Sequence, residues 1–201
     1  MSHATQRFIE RLEGRKLFAA YYVSPAGNDA TSGLSPGEAW RTVERVNQQY
    51  LRAGTTILFE GGKTFDGNLY VSSREAGRAD KVVIFSSYGT GGRATIRSGA
   101  LEGLRVVETA GVAVTNLNFV GGGTNGQNDT SGIYIHAGSA NKILSSVHIR
   151  NVDVKNYGRE GVTIIASGAG SSISDVKIER SAFHDNLWGG ITIVGNAMPA
   201  R

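Results

Sequence analysis

Four short segments decide how this sequence reads: GLRVV (103–107), GIYIH (132–136), GVTII (161–165) and GITIV (190–194). Each opens on a glycine, and Gly103, Gly132, Gly161 and Gly190 stand 29 residues apart. A second segment recurs between them: VAVTNLNF from Val112, VHIRNVDV from Val147 and VKIERSAF from Val176. The last two are again 29 residues apart, while the first pair is 35 apart, so loops change length while strands persist. A period of about 20–50 residues is the signature of a solenoid. Every unit here carries strand patterning, with alternating aliphatics, β-branched residues and glycine punctuation. One such unit cannot cover its own apolar face, but stacked units can. Ile133, Ile135, Val162, Ile164, Ile191 and Ile193 are then expected to line the inside of a tube, with rungs about 4.8 Å apart.

Upstream of the repeats the pattern is more varied. The spacing of Phe8, Ile9 and Leu12 predicts a short helix over Met1–Lys16. Tyr21–Val23 reads as a strand, and PAGNDATSGLSP (25–36) as a turn-rich loop. Trp40, Val43, Val46 and Tyr50 recur at three and four residues, which predicts a helix over roughly 37–51. Further strands are expected at Thr55–Glu60, Gly67–Val71, Lys81–Ser86 and Ala94–Arg97. GNDATSG (27–33) holds a single Asp and lacks the acidic spacing of a calcium loop, so it is read as turn chemistry. GGKTFDG (61–67) and YGTGGR (88–93) do not match a phosphate-binding loop, because neither has the glycine and Ser/Thr spacing at a strand-to-helix junction.

Composition removes several classes. The chain of 201 residues has 28 Gly but only 3 Pro, which excludes collagen and a Pro-rich linker. It has no Cys, so disulfides, thiolate metal sites and a cysteine nucleophile are impossible. The net charge is +4, yet Lys and Arg form no run, and no nucleic-acid partner is expected. No apolar run reaches the roughly 18 residues of a membrane helix, and no membrane partner is expected. Leu17–Ala20 is too short for the core of a signal peptide, so the signal of an exported protein would have been removed or lie outside this chain.

With these repeats in view, the sequence resembles the right-handed parallel β-helix proteins of the pectate-lyase-like superfamily. YYVSPAGNDATSGLSPGEAWRTVERVN (21–47) resembles their N-terminal segment, and TTILFEGGKTFDGNL (55–69) and IFSSYGTGGRATI (84–96) resemble their first rungs. The resemblance implies an all-β fold, a right-handed single-stranded parallel β-helix with an N-terminal helical cap. The division that follows is a helical extension over 1–20 and a β-helix domain over 21–201. Within that domain, 21–66 form the cap and first strands, and 67–201 form coils that break off incomplete after GITIVGNAMPAR. It also implies a polysaccharide partner and an extracellular or cell-surface location. The incomplete last coil suggests a fragment, or self-association through that uncapped end. Asn116 and Asn151 fall at the tight bend where such proteins stack asparagines, since Asn tolerates a left-handed turn; Arg180 takes that place in the next rung.

In the layout of this superfamily the GIYIH-type strands face outward onto a carbohydrate groove. Alternation then turns Tyr134, His136, Thr163, Ile165, Thr192 and Val194 outward, and none of these six is acidic. A glycoside hydrolase needs two facing carboxylates, so hydrolysis is not the preferred reading. A lyase needs a base and positive charge to stabilise the anion it forms. Lys155 and Arg159 supply the types seen in related lyases, with His136 as an alternative base beside Tyr134 or Tyr157. Tyr134, Tyr157, His184, Asn186 and Trp188 are the expected sugar-binding residues. Asn125, Asn128 and Asp129 lie in loops entering the same sheet. Asp129, Glu160 and Asp185 are oxygen donors of the kind Ca²⁺ prefers, and Ca²⁺ is the expected cofactor. The expected function is a lyase-type enzyme, or a fragment of one, acting on an acidic, uronate-containing glycan. The alternative is a non-catalytic carbohydrate-binding or structural β-helix, of adhesin or tail-fibre type.

Overall fold

A computed structural model describes residues 19–73, 80–109, 111–124 and 128–195. The expected helix over Met1–Lys16, most of the helical extension, Asn125 and the tail after Gly195 lie outside the described residues. What is described is nearly all β.

After β1 (Ala20–Val23), strands follow one another in threes. The first two rungs are β2 (Thr56–Glu60), β3 (Thr64–Asp66), β4 (Leu69–Val71), then β5 (Val83–Tyr88), β6 (Ala94–Gly99), β7 (Leu104–Val107). The third is β8 (Val112–Thr115), β9 (Leu117–Gly121), β10 (Ile133–Ala137). The fourth is β11 (Ile143–Arg150), β12 (Asp153–Lys155), β13 (Glu160–Ala166), and the fifth β14 (Ser172–Glu179), β15 (Ala182–His184), β16 (Gly189–Gly195). From β2 onward every strand pairs in parallel with the strand three places along, and β1 pairs in parallel with β2, giving three sheets. Sheet A runs β1-β2-β5-β8-β11-β14, sheet B runs β3-β6-β9-β12-β15, and sheet C runs β4-β7-β10-β13-β16. The molecule is a three-faced parallel β solenoid.

The 29-residue period is the register. Leu104, Ile133, Val162 and Ile191 are partners across sheet C, as are Val106, Ile135, Ile164 and Ile193. Sheet A contributes Ile57, Phe85, Val114, Ile149 and Ile178, and sheet B contributes Phe65, Ile96, Phe119, Val154 and Phe183. From the first to the fourth rung these inward side chains are all buried. Each such burial stabilises by about 1.5–3 kcal/mol. Ile191 and Ile193 keep their place in the column but are 45% and 64% exposed, because among the described residues β16 has a strand partner on one side only.

The glycines that head the sheet C strands have a steric cause. A Cβ on Gly132 would lie far inside contact with Cγ1 of Val154 and close to the Tyr157 ring, and one on Gly103 would meet Phe119 and the Tyr157 hydroxyl. Gly161 is hemmed in by Phe183 and Asn186. The chain must pass this corner without a side chain so that sheet B residues can fill it.

The bend between sheets A and B is made by Asn116, Asn151 and Arg180, with φ of 55°, 51° and 50°. Asn151 Nδ2 donates to Asn116 Oδ1 at 2.7 Å, forming the expected amide ladder. Arg180 keeps the bend and ends the ladder.

The helix expected over 37–51 is shorter. A 3₁₀ turn (Pro36–Glu38) precedes helix α1 (Val43–Gln48), which packs against β4. The reason is local capture of the backbone. Asp29 Oδ1 accepts from the N–H groups of Arg41 at 2.7 Å and Thr42 at 3.0 Å, and the Thr42 hydroxyl then caps the helix by accepting from Arg45 N. Trp40 is therefore outside the helix. It bridges to Val23, stacks on Tyr21 at 4.5 Å and donates Nε1 to Thr31 O.

We expect Gly132→Ala to lower the unfolding free energy by about 2 kcal/mol, within the usual range for overpacking. Gly190→Ala, whose Cβ would meet Phe183 at ordinary contact distance, should stay within about 0.5 kcal/mol. Urea titration checks both; equal effects would contradict the steric account.

Candidate functional site

Sheet C presents two outward columns. Tyr70, Arg105, Tyr134, Thr163 and Thr192 are register partners in one, and Val107, His136, Ile165 and Val194 in the other. Strand alternation puts them opposite the buried aliphatics, as expected from the sequence. At the head of the sheet a third column, Glu102, Ser131, Glu160 and Gly189, repeats at the same 29 residues.

Glu160 is the centre of this face. The residue is only 8% exposed. Its Oε2 accepts from the Thr163 hydroxyl at 3.1 Å and the Ser131 hydroxyl at 3.3 Å, and its Oε1 accepts from the Thr192 hydroxyl at 3.1 Å. The Ser131 and Thr163 hydroxyls are themselves 2.7 Å apart. Two hydroxyl protons therefore serve three short O···O contacts, a tightly coupled network. Burial alone raises the carboxyl's pKa, but its own backbone N–H, the Thr163 and Thr192 hydroxyls and Arg159 outweigh it and hold it below the ordinary value. Glu160 is thus a mostly buried carboxylate that stays ionised at neutral pH.

Arg159 and Trp188 stand beside it. Arg159 Nε lies 3.7 Å from Glu160 Oε2, and the guanidinium sits 4.5 Å from the centroid of the Trp188 ring. Trp188 is 61% exposed, an open aromatic platform at the edge of the face. Lower on the sheet, Arg105 reaches Glu102 at 2.8 Å and lies 5.0 Å from the Tyr134 ring. His136 bonds Ser167 Oγ at 2.7 Å and tilts against Tyr134.

The structure divides the sequence-derived residues among several places. Arg159, Glu160, Trp188, Tyr134 and His136 all belong to this face. Lys155 does not: it ends β12 on sheet B, in register with His184 and Val120. Tyr157, expected to bind sugar, is fully buried, and its hydroxyl meets Ser98 Oγ at 2.9 Å inside the tube. It fills the corner that the glycine heads leave open, and burial pushes its phenol well above the ordinary value. Asn186, also expected on the sugar, accepts from Tyr157 N at 3.0 Å and donates to Val154 O at 3.2 Å, so its amide braces the backbone. Asn128 does the same one rung earlier than Tyr157, donating to Gly99 O at 3.2 Å.

The Ca²⁺ expectation meets a poor donor set. Among the described residues no group of three or more His, Cys, Asp or Glu is arranged to hold a metal ion. Glu160 faces hydroxyls, Asp185 bonds His184, and Asp129 stands exposed in its loop. These three carboxylates do not fit one Ca²⁺ site.

On sheet B, His184 is held between two carboxylates: Nδ1 lies 2.8 Å from Asp185 and Nε2 3.3 Å from Asp153. The Asp185 bond raises its pKa most, burial opposes this, and Asp153 adds to the rise, which prevails. Outward strand positions in the sequence came only from the later repeats, passing over Arg105 on β7, and the Glu160 position was not followed back along the repeat. Spacing alone could have found Ser131 and Glu102, which precede Glu160 by one and two periods.

No protein-family model matches the chain. Over 88 residues it is 34% identical to a lacto-N-biosidase of Bifidobacterium longum subsp. longum, a match covering 41% of this chain and 6% of that relative. Its structure superposes on a GH136 lacto-N-biosidase from Eubacterium ramulus with a TM-score of 0.65 at 16% identity, covering 89% of this chain and 38% of that one. A rhamnogalacturonan lyase follows at a TM-score of 0.49 and 13% identity, covering 90% and 63%. The chain thus spans a small part of the curated relative and well under half of the solved enzyme, and the structural likeness shows a β-helix-like fold.

We expect the NMR titration of His184 to have its midpoint above 6.5, the ordinary imidazole value, and Asp185→Asn to lower it. Because the pKa is raised on folding, the associated stability is full below the unfolded value and lost as pH rises through the folded one. A wild-type midpoint at or below the ordinary value would contradict the pairing.

Proposed function

We propose that this chain is part of a right-handed β-helix protein of the pectate-lyase-like kind that acts on carbohydrate outside the cell. The outer face of sheet C is its glycan groove, and Glu160 is its reactive carboxylate. The observation that carries this reading is Glu160 itself: a nearly buried, ionised carboxylate among three hydroxyls, beside an exposed tryptophan. Aromatic faces bind the apolar faces of sugar rings, and Trp188 and Tyr134 offer two such faces. An ionised carboxylate suits a nucleophile or general base and does not suit a general acid.

That chemistry favours hydrolysis over elimination. Arg159, expected to stabilise a lyase's anion, already faces Glu160 and Trp188, and Lys155 is on another sheet. Glu102 is the candidate second carboxylate, two rungs from Glu160 and so roughly 9–10 Å away along the axis by strand spacing. That lies near the upper end of the about 6.5–9.5 Å used by inverting glycosidases. The identity with a lacto-N-biosidase supports oligosaccharides of the kind that enzyme cleaves as the first substrates to test. A lyase reading draws on a different face: Lys155 and His184 are register neighbours on sheet B, a cation beside an imidazole that could act on a uronate.

The test is an activity panel on the full-length protein. It joins oligosaccharides of the kind a lacto-N-biosidase cleaves, followed by release of reducing ends, with pectate and alginate, followed by ultraviolet absorbance of unsaturated uronates with and without Ca²⁺. We expect reducing ends without unsaturated product. Glu160→Gln should cut turnover by about 10²–10⁴-fold with binding retained, and Trp188→Ala should weaken binding about tenfold. The acid limb of activity should lie below pH 4.5, the ordinary glutamate value, since a lowered pKa keeps the base ionised to lower pH. Unsaturated product lost in Lys155→Ala would establish the lyase reading, and full turnover by Glu160→Gln would remove Glu160 from the chemistry.

A further inference from the structure

The glycine-rich stretches at 61–67 and 88–93 match no phosphate loop, yet the fold brings them together. They are consecutive corners between sheets A and B, one rung apart. Gly61 N donates to Tyr88 O at 2.9 Å and Gly62 N donates to Arg93 O at 3.2 Å. A Cβ on Gly61 would strike Gly92 O, and one on Gly91 would strike Gly61 O. The two corners therefore lie backbone against backbone, a packing only glycine allows.

Beside them opens a cleft of about 550 Å³ lined by Ser24, Glu60, Lys63, Tyr88, Thr90 and the glycines 61, 89 and 91, with Pro36 at its edge. That volume lies within the range of small-molecule sites, about 300–1,000 Å³. Its polar groups are already organised. Glu60 Oε2 accepts the Ser24 hydroxyl at 2.5 Å, and Ser24 is only 6% exposed. Tyr88 is braced edge-on by Tyr22 at 5.1 Å. Burial and the Glu60 charge raise the Tyr88 phenol above its ordinary value, so it stays protonated.

We propose that this cleft is a second binding site, for a neutral sugar residue. The charge of its one ammonium, Lys63, is offset by the Glu60 carboxylate, so the cleft offers a phosphate or a free uronate no net positive charge and Glu60 would repel it. A carboxylate has about four acceptor sites and Ser24 takes one, which leaves capacity for vicinal sugar hydroxyls. Lys63 and Thr90 supply donors, the Tyr88 hydroxyl, paired with the Ser24 side chain, offers an acceptor, and the Tyr88 ring supplies an apolar wall. Backbone hydrogen bonds tie the two glycine corners together, so little ordering of the floor is required on binding. The site shares no residue with the sheet C groove. Three rungs, roughly 14 Å by strand spacing, separate β2 from β11, which shares its rung with Glu160. The inference stands without the catalytic reading.

The experiment is an amide chemical-shift titration of the ¹⁵N-labelled protein with glucose, galactose and lactose, with inorganic phosphate and galacturonate as controls. We expect a saturable shift at Gly61, Thr90 and Gly91 with a neutral sugar. Glu60→Gln should weaken it at least tenfold, Lys63→Ala about threefold, and Trp188→Ala less than twofold. If Glu60→Gln fails to fold, Lys63→Ala and Tyr88→Phe decide: unchanged affinity in both overturns the proposal. It is also overturned if these amides respond to no neutral sugar, if phosphate or galacturonate binds better, or if shifts appear only around Glu160 and Trp188. That last result would leave the groove reading intact, whereas loss of turnover in Glu160→Gln says nothing about the cleft.

Discussion

A strand of five residues with aliphatics at alternate positions can hide them from water only against other strands that do the same. In this chain the partner is always the next turn of the same chain. Leu104, Ile133 and Val162 stack at a constant 29-residue offset, and the columns on sheets A and B follow the same rule with looser spacing. Everything else in the structure answers to that stacking. The sheet C glycines exist because Val154 and Tyr157 need the corner, and the Asn bends exist because each rung must turn at the same place.

Stacking also builds the functional face. Inward residues are constrained to be apolar, so outward ones are free to vary, and in-register pairing lines them into columns. Glu160 can be held by Ser131 from the rung below and Thr192 from the rung above because Ser131 stands one period before Glu160 and Thr192 one period after Thr163. A buried carboxylate would be costly alone; its own backbone N–H, the Thr163 and Thr192 hydroxyls and Arg159 keep it charged. The corner cleft is the same principle applied to backbone, where two glycine turns one rung apart make a floor that side chains from both rungs surround.

Much of this was legible in the residues. The period gave the parallel stacking, the inward columns and the outward identities of Tyr134, His136, Thr163 and Thr192. The Asn116–Asn151 ladder was legible because few residue types accept a positive φ. Other features were hidden for stated reasons. The helix over 37–51 was overestimated because Asp29, far away in sequence, captures the backbone at Arg41 and Thr42. Tyr157 looked like a sugar platform because nothing local reveals that the corner beside Gly132 is hollow. Glu160 was read as a metal donor because two of its three hydroxyl partners, Ser131 and Thr192, lie in other rungs, and Lys155 was placed beside Arg159 although the chain changes sheets between them.

The most direct measurement of the stacking is a nuclear Overhauser map of the labelled protein. The account predicts backbone cross-peaks at a separation of 29 residues, joining Ile133 to Val162, Ile135 to Ile164 and Val147 to Val176. Cross-peaks running in antiparallel order through 133–164, or the three- and four-residue pattern of a helix there, would contradict it.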